Sequence, residues 1–205
     1  MIGVARSRTD VRLRRARGRL FLIGAIAALV LFLPLFFLPP QQAAAQFSAA
    51  YELIKAVKDG DYVKAREEML KCNCPTARDA DGDPLLVLAA RNGDLVMTRF
   101  LLESGANPNA ATRSSGETAL MVFARADNGE GIALLAAHGA DPDAVDRAGE
   151  TALIQAVRAR KFRAVQALLD AGADPSVADY QGLTAVDIAR QMRLRNFVAV
   201  LERAQ

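Results

Sequence analysis

The two cysteines of the chain, Cys72 and Cys74, are the residue types best suited to chemistry, and they stand one residue apart. A zinc site would need a longer spacer between the cysteines and further cysteine or histidine ligands, which the sequence lacks. In an oxidising compartment the pair could form a strained local disulfide, stay reduced, or link to a partner protein. A thiol-redox role for the pair is therefore one of the hypotheses that the sequence raises.

The other polar residues predict no catalytic set. His138 is the single histidine, and it stands at the predicted end of a helix, where a cation interacts favourably with the helix dipole. The run Asp141, Asp143 and Asp146 lacks the spacing of an EF-hand loop, and we expect it to serve turns. The sequence also lacks a glycine-rich phosphate loop and a G-x-S-x-G motif. We expect no catalytic residue, no cofactor, no metal site and no enzymatic activity.

Glycines and prolines recur with a nearly constant period, which indicates an internal repeat. The glycines Gly82, Gly116, Gly149 and Gly182 are separated by 34, 33 and 33 residues, and the prolines Pro75, Pro108, Pro142 and Pro175 by 33, 34 and 33. A unit of this length cannot bury its own apolar face, so such units stack in single file against their neighbours.

Each copy contains two short helical segments with recognisable ends. In the first copy we expect Asp83 to cap the first helix and Pro84 to take the first helical position. We expect Asn73 to form the left-handed corner after a second helix, where other copies have glycine. The segment from Gly105 to Gly116 is one residue longer than its counterparts, which predicts a longer hairpin finger. The expected caps in the other copies are Thr118, Thr151 and Thr184, and the expected corners are Gly105, Gly139 and Gly172.

The third copy, from Asp146 to Pro175, carries the pattern D-x-x-G-x-T-A-L … L-L-x-x-G-A-D-P and resembles the ankyrin repeat. The resemblance implies an all-α ankyrin-repeat solenoid, in which helix-turn-helix units are joined by β-hairpin-like fingers. We divide residues 46–205 into a capping repeat (48–78), three full repeats (79–112, 113–145 and 146–178) and a C-terminal repeat (179–205). In the capping repeat, the expected apolar positions are Leu53, Ile54, Val57, Val63, Met69 and Leu70.

Residues 1–45 differ in composition from the repeats. Seven arginines lie between residues 6 and 19, an apolar run follows from Leu20 to Leu38, and three alanines end at Ala45. These are the three parts of a secretory signal peptide with cleavage after Ala45. The alternative is an N-terminal apolar helix retained as a membrane anchor, although Pro34 interrupts it. Both interpretations place the repeats in the periplasm of a Gram-negative-like bacterium, either free or anchored to the inner membrane.

The charge of the repeats argues against nucleic acid as a partner. The formal net charge of the chain is +3, but residues 1–45 hold seven of the 26 basic residues and one of the 23 acidic residues. The remainder carries 19 basic and 22 acidic residues, a net charge of −3. A mildly acidic repeat region offers no excess of positive charge that would attract nucleic acid.

Three arginines stand in register along the predicted first helices. Arg91, Arg125 and Arg158 each follow a finger glycine by nine residues, and Gln191 holds this position in the last copy. The competing interpretation of these arginines is that they are solvated helix residues paired with Glu117 or Glu150.

The resemblance implies that partners bind at the finger tips and at the exposed side of the first helices. We expect an acidic segment of a partner protein to bind the three arginines together with Arg113, Ser114, Ser115, Arg147 and Tyr180. The expected finger-tip residues are Ala80, Asp81, Asp83, Ser114, Ser115, Glu117, Arg147, Glu150, Tyr180, Gln181 and Leu183.

The sequence thus predicts an exported scaffold or adaptor that binds a partner protein through its fingers and concave helix face. We expect no nucleic-acid partner and contact with a membrane only through the N-terminal segment. One alternative is a thiol-redox or oxidative-stress-linked envelope protein that uses Cys72 and Cys74. The other is a membrane-tethered scaffold that keeps its N-terminal helix.

Overall fold

The structure, a computed structural model, describes residues 40–204 and the side chains from Phe47 onward. The basic segment and the apolar run Leu20–Leu38 lie outside the described residues. Among the helices between residues 40 and 204, none combines the length and the apolar character that crossing a membrane requires. In chain order these helices are α1 (Pro40–Asp59), α2 (Tyr62–Cys72), α3 (Leu85–Arg91), α4 (Leu95–Glu103), α5 (Ala119–Arg125), α6 (Gly129–Ala137), α7 (Ala152–Arg158), α8 (Phe162–Asp170), α9 (Ala185–Gln191) and α10 (Arg195–Arg203).

The helices form consecutive pairs that stack in single file. The first helices α3, α5, α7 and α9 pack in series, and so do the second helices α4, α6, α8 and α10. One apolar core runs through the pairs from Leu53 in α1 to Leu201 in α10. Small residues allow close approach, since a Cβ at Gly131 would lie 2.6 Å from the ring of Phe123. The predicted all-α stack of paired helices is confirmed.

The predicted threonine caps are confirmed in three repeats. Thr118, Thr151 and Thr184 each accept a hydrogen bond from the backbone N–H three residues later. The prediction for the first full repeat was wrong, because Pro84 itself is the N-cap residue of α3 and no side chain caps this helix. The carboxylate of Asp83 binds Arg91 instead.

Left-handed corners end the second helices, as predicted. Asn73 has a φ of 47°, and Gly105, Gly139 and Gly172 have φ angles of 93°, 82° and 88°. Asparagine tolerates this conformation better than other residues with a Cβ, which explains its use at the one corner that lacks glycine.

A short hairpin, which we call a finger, connects each corner to the next first helix. An isolated bridge closes each finger: Arg78 with Pro84, Ala111 with Thr118, Val145 with Thr151, and Ala178 with Thr184. We number the fingers one to four in this order. The second finger contains one residue more than the others, as its sequence predicts.

The capping repeat buries fewer apolar side chains than we expected. Leu53, Val57 and Met69 are buried, but Val63 and Leu70 are 68% and 80% exposed. The expectation for Val63 and Leu70 was wrong because α2 turns a different face to the core, the face of Ala65, Glu68 and Met69. Tyr62 extends that face and packs edge-on against Phe100 at a ring distance of 5.4 Å.

Candidate binding surface

One side chain holds the backbone of each finger in place. In the first finger, Asp79 Oδ1 accepts hydrogen bonds from the N–H groups of Asp81 and Asp83, at 3.0 and 2.8 Å. Asp146 and Asp179 make the equivalent pairs of bonds in the third and fourth fingers. In the second finger Thr112 replaces aspartate and accepts from the N–H of Glu117 at 3.0 Å. Such bonds preset the turn before any partner arrives.

In fingers two to four, the residue after the turn residue lies over the glycine of the preceding finger. A Cβ added at Gly149 would lie 2.5 Å from Cδ1 of Tyr180, so the ring occupies the space that a side chain would need. Glycine is therefore required there for close packing as well as for its positive φ of 76°. The three pairs are Arg113 on Gly82, Arg147 on Gly116 and Tyr180 on Gly149.

Four cations lie in register at the ends of the first helices, and we call Lys58, Arg91, Arg125 and Arg158 the cation row. Every member pairs with at least one carboxylate. The N···O distances are 2.7 Å for Lys58–Asp79, 2.5 Å for Arg91–Asp83, 2.9 Å for Arg91–Glu117, 2.8 Å for Arg158–Glu150 and 2.9 Å for Arg158–Asp179, and Arg125 pairs with Glu117.

The cation row links each repeat to the next one. Lys58 of the capping repeat reaches Asp79 in the first finger, and Arg91 of the first repeat reaches Glu117 in the second finger. Arg125 of the second repeat donates to Gln155 Oε1 of the third repeat at 2.8 Å. The predicted arginines therefore act between repeats, and their guanidinium groups are already paired.

A protein-family model for ankyrin repeats matches the chain in three overlapping copies, at residues 53–146, 86–179 and 124–202. The matches cover most of the chain. The chain belongs to the ankyrin-repeat family. Proteins of this family bind protein partners in general and are typically non-catalytic, and no enzyme family was found for this chain. No curated protein matches it.

The fourth finger of the ankyrin-repeat stack departs from the pattern of the first three. Fingers one to three have a carboxylate directly after the glycine and an arginine eight residues later; in the fourth, Leu183 and Gln191 replace both. The acid and the arginine thus occur together or not at all within this chain. The loss of both residues together in the fourth finger was a sequence signal that the acid and the arginine form an ion pair in the other fingers.

Sequence reasoning missed Lys58, the first member of the cation row. The arginines were counted from the finger glycines, and no finger precedes the capping repeat. The segment Lys58-Asp59-Gly60 nevertheless aligns with Arg91-Asn92-Gly93, and Gly60 and Gly93 both have positive φ angles. Asn92 also connects these segments, because its side-chain amide donates to the carbonyl oxygens of Val57 and Lys58 at 3.1 Å.

Glu117 is held between two arginines of the cation row. Burial alone raises the pKa of its carboxyl group, but hydrogen bonds from Arg125 and Arg91 outweigh burial. The pKa of Glu117 therefore lies below its ordinary value of 4.5. A carboxylate with two cationic donors is stabilised in its ionised form.

Glu150, at the equivalent position in the third finger, has the opposite shift. Burial raises the pKa of its carboxyl group, and the ion pair with Arg158 only partly offsets burial. The carboxylates of Asp146 and Asp179 add repulsion, so the pKa of Glu150 lies above 4.5. Two glutamates in the same register thus contribute differently to stability.

The finger tips expose some of the expected residues and bury others. Asp83 and Glu117, expected at the tips, are buried at 7% exposure each, because both face the cation row. Oδ1 of Asp83 has no hydrogen-bond partner among the described residues. Glu150 and Leu183 are half-buried. The exposed tip residues are Ala80, Asp81, Arg113, Ser114, Ser115, Arg147, Tyr180 and Gln181.

His138, Asp141, Asp143 and Asp146 make structural hydrogen bonds with backbone groups. His138 Nδ1 lies 2.9 Å from the carbonyl oxygen of Leu134 at the end of α6. Asp141 and Asp146 accept bonds from backbone N–H groups two residues later, and Asp143 accepts from the N–H of Asp174. Between residues 40 and 204 no group of three or more His, Cys, Asp or Glu residues is placed to hold a metal ion. Cys72 and Cys74 are joined in a disulfide.

Proposed function

We propose that this chain is an exported ankyrin-repeat scaffold that binds a partner protein through its finger tips and the adjoining first helices. The observation that carries the proposal is the row of exposed tips on a prearranged backbone. The turn bonds of Asp79, Thr112, Asp146 and Asp179 order the fingers in the free protein. A partner would therefore lose little affinity to ordering this surface.

The tips also offer the positive charge that an acidic partner segment needs. The cation row is half-exposed but neutralised by its own carboxylates. Arg113 and Arg147, in contrast, lie outside the ion pairs found among residues 47–204, and the Arg147 guanidinium donates to the backbone oxygen of Arg113. With the hydroxyl groups of Ser114 and Ser115, these two guanidinium groups form the centre of the proposed binding surface for carboxylates.

Site-specific photocrosslinking in cells tests this surface. A photoreactive residue at Ser114 should crosslink to a partner protein, because Ser114 is exposed on the second finger. The matched control is the same residue at Ser176, which is also exposed but lies in the loop before the fourth finger. Equal crosslinking from both positions would contradict a finger-tip interface.

The charge of the surface can be tested once the partner is known. Replacing Arg113 and Arg147 with glutamine keeps most of each side-chain stem and removes two charge-assisted hydrogen bonds. We expect the Kd for the partner to rise at least about tenfold, since each such bond contributes about 1.5–3 kcal/mol. The control carries glutamine at Arg99 and Arg163, which are exposed on second helices. An unchanged Kd in the finger variant would remove the acidic segment from the proposal.

Export is proposed from the sequence of residues 1–45. The arginine-rich start, the apolar run and the alanines before Gln46 support signal-peptide cleavage after Ala45, and retention of this segment would give a membrane-tethered scaffold. The intact mass of the mature protein in the periplasmic fraction distinguishes these outcomes. Recovery of the full-length chain from the cytoplasm would contradict export in both forms.

A further inference from the structure

The Cys72–Cys74 disulfide lies at the edge of the stack, at a corner that the proposed binding surface does not use. Cys72 ends α2, and Cys74 follows the left-handed corner residue Asn73. Cys72 and Cys74 are partly buried residues that pack against the apolar core. Because neither residue is fully buried, the disulfide lies at the boundary between core and solvent, where an attacking thiolate can approach it.

Three other second helices of the ankyrin stack end in left-handed corners that carry no cross-link. In the first repeat the corner is Ser104-Gly105-Ala106, and the N–H of Ala106 donates to the oxygen of Leu101 at 2.9 Å. Ala140 and Ala173 make the equivalent bonds at 3.0 and 2.9 Å. The corner at Asn73 has different backbone bonds, since the N–H of Asn73 itself donates to the oxygen of Met69 at 2.7 Å, but a left-handed corner as such does not require a disulfide.

The spacing of the cysteines also limits what the bond can add to stability. A cross-link stabilises a protein mainly by restricting its unfolded chain, and the effect grows with the length of the loop that it closes. Cys72 and Cys74 are separated by two positions, so the unfolded chain loses little freedom. A purely stabilising role therefore explains the Cys72–Cys74 disulfide poorly.

A small cleft is lined in part by the two residues that follow Cys74. Pro75 and Thr76, which follow Cys74 in the chain, form one side of it, and the rest of a volume of about 120 Å³ is lined by Arg78, Pro84, Leu86, Ala106, Asn107 and Ala110. This mostly apolar cleft could receive one aliphatic side chain of a protein that presents its thiols to the disulfide.

From these observations we propose that the Cys72–Cys74 disulfide is a redox-active site that oxidises a dithiol of a substrate protein. A substrate thiolate attacks one sulfur, the Cys72–Cys74 bond breaks, and a mixed disulfide forms. The other cysteine leaves as a thiolate and takes a proton. The second substrate thiolate then attacks its own sulfur in the mixed disulfide and releases the remaining cysteine. The substrate loses two electrons, and the cysteine pair gains two electrons and two protons.

The test uses the full chain in its oxidised form and a synthetic peptide with two cysteines on either side of a leucine. Thiols are alkylated at intervals and counted by mass spectrometry. We expect one peptide disulfide for each protein disulfide consumed, at a rate at least about tenfold that of oxidised glutathione at equal concentration. A rate no faster than that of oxidised glutathione would overturn the proposal.

A corner exchange provides the matched control. The triple variant Cys72→Ser, Asn73→Gly, Cys74→Ala carries the corner of the first repeat, Ser104-Gly105-Ala106. We expect it to unfold at the same urea concentration as the parent and to show no exchange with the peptide. A clearly lower urea midpoint would make the cross-link structural and would also overturn the proposal.

A substitution in the cleft tests its role in substrate binding. Ala110→Leu should fill part of the cleft and slow oxidation of the peptide severalfold, while reduction of the disulfide by glutathione keeps its rate. Equal peptide rates for this variant and the parent would contradict the role of the cleft in substrate binding.

Discussion

The first three fingers and the fourth finger share a fold but differ in how they contact neighbouring repeats. In fingers one to three, a carboxylate follows the glycine and a side chain from the next finger covers that glycine. In the fourth finger Leu183 replaces the carboxylate, and nothing lies within 4 Å of a Cβ at Gly182. Among the described residues no further repeat packs on this finger. The comparison indicates that the cation row and the covering side chains stabilise contacts between repeats, whereas the glycine and the turn bonds shape a finger by itself.

Charge reversal along the cation row should have the largest effect. In the variant Arg91→Glu, Arg125→Glu, Arg158→Glu, three new carboxylates would face Asp83, Glu117 and Asp179, which are already buried. We expect the free energy of unfolding to fall by on the order of 3–6 kcal/mol, after allowing for the partial exposure of the arginines. Urea unfolding followed by circular dichroism measures this change.

The control for this variant reverses three exposed arginines on the second helices, Arg99, Arg163 and Arg195. We expect them to change stability little, because they lie outside the ion pairs between residues 47 and 204. If both triple variants lost the same stability, the cation row would have no special role between repeats.

Alanine at two finger glycines separates backbone strain from packing between fingers. Gly149 and Gly182 have φ angles of 76° and 78°, so alanine should cost about 1–2 kcal/mol at either position. Gly149→Ala should cost up to about 1 kcal/mol more, because only Gly149 is covered by Tyr180. The added variant Tyr180→Ala should remove this excess, and a double-mutant cycle from thermal unfolding measures it. An excess that survives without Tyr180 would mean that the ring is not its cause.

Glu117→Gln should cost about 1–2 kcal/mol at pH 7, because it removes an ionised acceptor shared by two arginines. The pKa of Glu117 is lower in the folded than in the unfolded protein. Its stabilising contribution is therefore complete above a pH of about 4.5 and is lost as the pH falls through the folded pKa. Urea midpoints of parent and variant should accordingly converge below about pH 4.5.

Glu150→Gln is the matched substitution in the third finger and should behave differently. Because the pKa of Glu150 is raised on folding, its ionised form costs stability above the folded pKa, and the cost fades as the pH falls towards 4.5. We expect the variant to lie within about 0.5 kcal/mol of the parent at pH 7. A loss as large as that of Glu117→Gln, with the same pH dependence, would show that the two glutamates are equivalent.

Restoring the pair in the fourth finger should have the smallest effect. Leu183→Glu alone should destabilise the protein, since Leu183 packs against the core. Adding Gln191→Arg should recover about 0.5 kcal/mol through a half-exposed ion pair. A coupling energy of zero in the double-mutant cycle would imply that the acid and the arginine are not sufficient to form the pair.

The repeat frame could be predicted from the sequence because its signals are local. A positive φ at Gly105 and a threonine cap at Thr151 depend on neighbouring residues alone, and both were confirmed. The cap at Asp83 was wrong because Pro84 is the N-cap residue of α3, and Arg91 at the other end of that helix binds the Asp83 carboxylate. Lys58 was missed because the register was counted from the finger glycines and no finger precedes the capping repeat; its partner Asp79 belongs to the next repeat.

At the candidate binding surface, too, the sequence predicted local backbone features but not the orientation of the side chains. The turn chemistry of the fingers predicted which segments protrude, but not which side chains point outwards, so the buried Glu117 was assigned to a tip that in fact presents Ser114 and Ser115. The identity of the partner depends on exposed side chains that the stack does not constrain, and it stays a prediction.

The position of Tyr180 on Gly149 has a spectroscopic consequence. The chain contains no tryptophan and three tyrosines; Tyr51 and Tyr62 lie in the capping repeat and Tyr180 in the last. Tyrosine emission therefore originates only from the two termini of the array. Variants that keep the tyrosines of one terminus would let fluorescence follow fraying at that terminus alone, without an added dye.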